Sequence, residues 1–188
     1  MSDLILKQNG RILEATFNRT KDCSVSDAMA AELSAALATA HETSDMVLLR
    51  SAGADFCTGR ARNTDAGPPD PEAYARRPEY DSIFFCYKAI KDAQVPVVGV
   101  IEGRCMGFGT AVTAVCDITF ASSTATFNIP EIEHNVMPTM VMSALYDRMN
   151  RNAILWMTYT AEFIDAERAL NYGLVSQVVP ADKLDAEV

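Results

Sequence analysis

The chain has 188 residues, 49% hydrophobic and 22% charged, which is enough for one domain with a buried core. Its formal net charge of −9 argues against general nucleic-acid binding, which needs a basic face to displace counterions. No apolar run approaches the roughly 18–20 residues of a bilayer span, and the start Met1-Ser2-Asp3-Leu4 lacks signal-peptide features, so a cytoplasmic protein without a membrane partner is expected.

Residues 4–17 read as two short strands broken by Asn9-Gly10, a hairpin signal. Over 26–40, Met29, Leu33, Leu37 and Ala40 recur on one stripe at helical spacing. Residues 46–49 form an apolar run that fits a buried strand. The stretch 62–79 contains Pro68, Pro69, Pro71 and Pro78 with little apolar content, and its first half is expected to be a mobile loop. Helical periodicity resumes over 80–93 through Ile83, Phe84, Tyr87 and Ile90.

A second apolar strand, 95–101, runs into Gly103-Arg104-Cys105-Met106-Gly107-Phe108-Gly109-Thr110 and then a helix over 108–115. Strands at 117–121 and 126–129, and helices at 140–149 and 152–159, complete the middle of the chain. Asp165 is placed to cap a helix that Gly173 ends, and 174–179 reads as a strand. Strands alternating with helices indicate an α/β class.

Five cysteines (Cys23, Cys57, Cys86, Cys105, Cys116), never in C-x-x-C, and two histidines, His41 and His134, suggest neither a zinc site nor a disulfide framework. Free thiols in a reducing compartment are expected, with Cys57 and Cys105 as packing residues beside two glycine turns.

Those turns are Phe56-Cys57-Thr58-Gly59-Arg60-Ala61 and Gly107-Phe108-Gly109, each following a buried strand. A strand, a glycine turn and a helix start aim backbone N–H groups and a positive helix end at one point, which suits an anion or a transient oxyanion. Neither the third glycine of a dinucleotide fingerprint nor the Lys-Ser/Thr of a P-loop follows. If the two strands are neighbours, Arg60 and Phe108 can each direct an N–H into one oxyanion hole; otherwise the glycines serve tight packing.

The order of these motifs resembles the crotonase, or enoyl-CoA hydratase/isomerase, superfamily. Phe56-Cys57-Thr58-Gly59-Arg60 is similar to its first oxyanion motif, and Gly103-x-x-x-Gly107-x-Gly109 followed by Cys116-Asp117-Ile118 to its second. Ala125-x-Phe127-x-x-Pro130-Glu131 with Pro138 resembles its catalytic-glutamate segment, and Asp165-Ala166-Glu167-x-Ala169-x-x-x-Gly173-Leu174-Val175 its closing signature. Phe17-Asn18-Arg19 echoes the end of its N-terminal strand.

The resemblance implies a crotonase-like (ββα)n superhelix over 1–188 and an enzyme that acts on an acyl-CoA substrate without further cofactor or metal. It assigns oxyanion donors to the backbone N–H groups of Arg60 and Phe108, acid/base chemistry to Glu131, and substrate contacts to Gly59, Ala61, Gly107 and Gly109. His134, able to titrate near neutral pH, is a further candidate. Arg62, Arg76, Arg77, Lys88 and Lys91 are candidates to meet the CoA phosphates, or else are solvated charges. Assembly as a homotrimer or hexamer is expected by the same resemblance.

Two departures from the family pattern bear on the chemistry. Typical hydratases carry a second glutamate two residues after the last glycine of the turn, where this chain has Ala111. The chain also stops at Val188, where members usually continue into C-terminal helices. Double-bond isomerisation by one shuttling carboxylate therefore fits better than two-carboxylate hydration. Thioester hydrolysis and a non-catalytic CoA-binding or assembly protein are the alternatives.

Overall fold

The computed structural model describes residues 2–61, 72, 75 and 77–188. β1 (Leu4–Asn9) and β2 (Ile12–Phe17) form the hairpin, antiparallel from Leu4↔Phe17 to Asn9↔Ile12. α1 (Asp27–Thr39) follows, with Ser26 accepting a hydrogen bond from the Met29 N–H at 3.2 Å as its N-cap. Its expected stripe is buried, Met29, Leu33 and Leu37 at 1% exposure each, with Ala30 beside them.

β3 (Met46–Ser51), α2 (Pro78–Lys91) and β4 (Val97–Ile101) lead to a strand the sequence does not announce, β5 (Arg104–Met106). Then come α3 (Phe108–Val115), β6 (Ile118–Ser122), β7 (Thr126–Asn128), α4 (Thr139–Leu145), α5 (Arg151–Thr160), β8 (Ile164–Asp165), α6 (Ala166–Asn171), β9 (Gln177–Val179) and α7 (Leu184–Glu187).

The main sheet has the order β1-β2-β3-β4-β6-β9, antiparallel at the hairpin and parallel elsewhere. A smaller sheet, β5-β7-β8, stands beside it, parallel between β5 and β7. Chain order explains the architecture. β4 lies in the large sheet and β5 in the small one before α3; β6 and β7 repeat the step. A bridge from Cys57 to Cys105 brings the segment after β3 onto the small sheet as well. This is the expected (ββα) repeat, since parallel neighbours require a crossover and the helix supplies it.

Among the described residues the main core runs from Leu4 and Phe17 on the hairpin to Leu174 and Val175 near the C-terminal end, with a small second cluster of Val100, Val179 and Leu184. Every residue of β4 and of α3 is buried, as expected of a strand and a helix covered on all sides.

Two expected elements differ from the observed ones. The 140–149 helix ends at Leu145, because Asn150 caps a new helix by accepting from the Ala153 N–H at 2.9 Å. The 174–179 strand shrinks to Gln177–Val179, because Leu174 and Val175 enter the core from a turn in which the Leu174 N–H donates to the Ala169 carbonyl. All five cysteines are buried free thiols. Burial pushes those of Cys57, Cys86 and Cys116 up to about 12, so they pack as neutral groups. The first half of the 62–79 stretch, expected to be a mobile loop, lies outside the described residues, as do Arg62 and Arg76.

Candidate active site

Two parallel strands in register deliver two turns to the same edge of the small sheet. Arg104, Cys105 and Met106 of β5 pair with Thr126, Phe127 and Asn128 of β7. The next residue after β5 is Gly107, and β7 leads through Ile129 into a 3₁₀ turn, Pro130–His134. The Asn128 carbonyl ties them together, accepting from the Gly107 N–H at 3.1 Å and from Thr110 Oγ1 at 2.9 Å. Phe108 opens α3, so its N–H has no intrahelical partner and lies at the positive helix end.

The Arg60 turn reaches the same place through the chain after β3. β3 and β4 are parallel neighbours, paired at Val47↔Val97, which meets the condition that sequence left open. The Cys57 N–H donates to the Arg104 carbonyl and the Met106 N–H to the Cys57 carbonyl at 2.8 Å. A Cβ on Gly109 would stand 2.6 Å from Cys57 Cβ, so glycine here permits the close approach of α3 to the first turn. Arg60 pairs with Val25 through its neighbours: the Val25 N–H donates to the Gly59 carbonyl and the Ala61 N–H to the Val25 carbonyl. In a parallel bridge this leaves the Arg60 N–H on the opposite edge. The Arg60 guanidinium is held by a two-point bond to Asp27, 2.8 Å at both oxygens, and Ser82 of α2 donates to the same carboxylate.

Arg60, Phe108 and Glu131 line one cleft of about 70 Å³, walled by Ile83, Tyr87, Met140 and Val141. A larger groove of about 340 Å³ lies between α1 and α2, but its charged groups are Lys88 and Asp92, already joined as a surface ion pair. The smaller cleft is the candidate site, because it unites a carboxylate with the two glycine turns.

Glu131 is half-buried, and its Oε2 is buried without a hydrogen-bond partner among the described residues. Burial raises its pKa above the ordinary 4.5, opposed by a hydrogen bond from its own backbone N–H and by the nearby His134. Two consequences follow in opposite directions. If Glu131 acts as a base, kcat/KM rises with pH through this raised value, so the acid limb of the profile lies above 4.5. Stability behaves otherwise: the folded state keeps this proton better than the unfolded chain does. The contribution is full below the unfolded pKa and is lost as pH rises through the folded one. Urea midpoints of wild type and Glu131→Gln across this window are expected to diverge accordingly. A pH-independent difference between them would contradict the assignment.

The remaining candidates are placed unequally. His134 is exposed on the 3₁₀ turn that carries Glu131, as is its neighbour Glu133, and His134 does not line the cleft. Ala111 is fully buried one turn into α3 and offers no carboxylate. Arg77 pairs with Asp81 at 3.8 Å and Lys91 with Asp147 at 2.6 Å, both at the surface, and neither Arg77 nor Lys91 lines the cleft. Among the described residues, no group of three or more His, Cys, Asp or Glu side chains is placed to hold a metal, and no helix is long and apolar enough to cross a membrane.

Sequence reasoning missed three contributors. Asp27 is a helix-start carboxylate by pattern, yet it holds Arg60; Tyr87 and Met140 read as helix-stripe residues, yet they line the cleft. Only the spatial approach of α1, α2 and α4 to the two turns reveals them.

Comparison with known proteins bears on the family and the fold. The family model described as enoyl-CoA hydratase/isomerase matches residues 7–188. The mouse mitochondrial enoyl-CoA hydratase domain-containing protein 3 is 34% identical over 98 residues, covering 52% of this chain and 33% of that protein. A Mycobacterium tuberculosis (7aS)-7a-methyl-1,5-dioxo-2,3,5,6,7,7a-hexahydro-1H-indene-carboxyl-CoA hydrolase is 29% identical over 102 residues, 54% of this chain and 40% of that one. The matched segments thus span about a third to two fifths of these relatives. A crystal structure of an enoyl-CoA hydratase from Mycobacterium smegmatis superposes with a TM-score of 0.91 at 27% identity, over 100% of this chain and 74% of that one. With the family model matching nearly from end to end and the repeat architecture the same, this chain belongs to the enoyl-CoA hydratase/isomerase family.

Proposed function

We propose that the protein transforms an acyl-CoA thioester through an enolate held by two backbone donors, with Glu131 as the single acid/base. The observation that carries this reading is the shared cleft of Arg60, Phe108 and Glu131. For a 3-enoyl-CoA, Glu131 takes a proton from C2 and the electron pair moves onto the thioester oxygen. The N–H groups of Arg60 and Phe108 hold that oxygen as a dienolate. Glu131 then returns the same proton at C4, giving the 2-enoyl thioester. The cycle balances with one carboxylate and no cofactor, which suits a site where Ala111 supplies none.

Relatives named as hydratases and as a CoA hydrolase make water addition and thioester hydrolysis the competing outcomes. Steady-state assays with a 3-enoyl-CoA, a trans-2-enoyl-CoA and a thiol reagent separate the three. Isomerisation shifts the double bond, hydration consumes it, and hydrolysis alone frees the CoA thiol. Binding of these thioesters with no turnover of any would overturn the enzymatic reading in favour of a CoA-binding protein. A trimer or paired trimers, measured by light scattering, belongs to the same proposal.

A further inference from the structure

We infer that the Tyr87 hydroxyl is a specificity-determining donor that holds an oxygen atom beside Glu131, an oxygen supplied either by the acyl group or by a water molecule. The inference deepens the thioester reading above and rests on it.

Tyr87 projects from α2 and is 5% exposed. Its ring stacks on that of Phe108 with centroids 5.7 Å apart and planes at 20°, and Phe84 meets it edge-on at 6.5 Å. The ring is therefore held against the residue that opens α3. Glu131 and Arg60 line the same cleft, and the Cys86 and Cys57 thiols are also near the phenol. Burial, reinforced by Glu131, holds the phenol well above its usual range, so it stays a neutral donor.

Among the described residues no acceptor meets this hydroxyl, Glu131 included. Ile83, Phe108, Met140 and Val141, which complete the cleft around Arg60, Tyr87 and Glu131, offer it no oxygen from their side chains. Phenylalanine would fill the same stack, so packing alone does not call for the oxygen. A ligand that enters this cleft must offer the hydroxyl an acceptor or bury it unpaired, and the difference is expected to be about tenfold or more in affinity.

Isothermal titration of wild type and Tyr87→Phe with butyryl-CoA, 3-hydroxybutyryl-CoA and 4-hydroxybutyryl-CoA tests this. Wild type is expected to bind at least one hydroxylated thioester about tenfold tighter than butyryl-CoA, and Tyr87→Phe to reduce that ratio to about twofold or less. Preference for the 3-hydroxyl, with loss of crotonyl-CoA hydration in the variant, identifies the oxygen as that of an added water. Preference for the 4-hydroxyl identifies a substituent of the acyl group. A wild-type ratio near one, or a ratio that survives in Tyr87→Phe, overturns the inference. Tyr87→Leu gives the same readout should the phenylalanine variant lose its thermal transition. Failure of the thioester mechanism is read separately, as turnover that persists in Glu131→Gln, a result independent of the binding ratios of wild type and Tyr87→Phe.

Discussion

Replacing Glu131 by glutamine is expected to lower kcat by about 10²–10⁴-fold on whichever thioester is turned over, with KM changed far less. Glutamine keeps the shape of the side chain and removes its ability to carry a proton. The half-buried setting sharpens the contrast. Among the described residues Glu131 Oε2 has no hydrogen-bond partner, and desolvation raises its pKa, so the protein bears the cost of holding this carboxylate in the cleft. Removing that cost means Glu131→Gln is expected to melt at or above the wild-type temperature near neutral pH. A site residue that lowers activity while raising stability is difficult to mistake for a packing residue. Wild-type rates in the variant, on every substrate, would remove Glu131 from the mechanism.

Gly107→Ala is the second large effect, and it acts through the same carboxylate. Gly107 has φ +50 and ψ −108, a backbone conformation that side chains rarely adopt. A Cβ there would stand 2.5 Å from Glu131 Oε1 and 3.3 Å from its carboxyl carbon. The obstructing atom is the end of a side chain rather than backbone, so the carboxylate is the group that yields. Displacing it by about an ångström is expected to cost about 10²-fold in kcat. The backbone strain adds about 1–3 kcal/mol of destabilisation.

Gly10→Ala separates these two effects. Gly10 has φ +58 in the hairpin turn with open space around it, so its replacement is expected to cost stability alone. Equal loss of activity in the two variants would mean that strain, and not contact with Glu131, explains Gly107.

Much of the fold was legible because local signals and global packing agree over most of the chain. The hairpin at Asn9-Gly10, the stripe of α1 and the cap at Asp165 each rest on interactions within a few residues, and each appears where the pattern placed it. The elements that escaped are those whose stability is non-local. β5 and β8 are three and two residues long, and they exist because β7 lies between them to receive their hydrogen bonds. The single helix expected over 140–149 failed differently. Its apolar run gives way to Asp147 and Arg148 after the helix ends at Leu145, and Asn150 caps a new helix beyond the turn.

At the site, the sequence by itself determined which residues could do chemistry: two glycine turns, one glutamate after a proline, and an alanine where a second carboxylate would stand. Their order along the chain was enough to point to a family. What it did not determine was which groups share a cavity, because Arg60, Phe108 and Glu131 lie on three separate repeats. The tertiary structure decided that, through parallel pairing of β3 with β4 and of β5 with β7, which stacks the turns at one end. It also brought Tyr87 of α2 into the cleft and locked Arg60 to Asp27. The reason is physical: hydrogen bonds between strands fix the register of distant segments, and a side chain's surroundings follow from that register rather than from its neighbours in sequence.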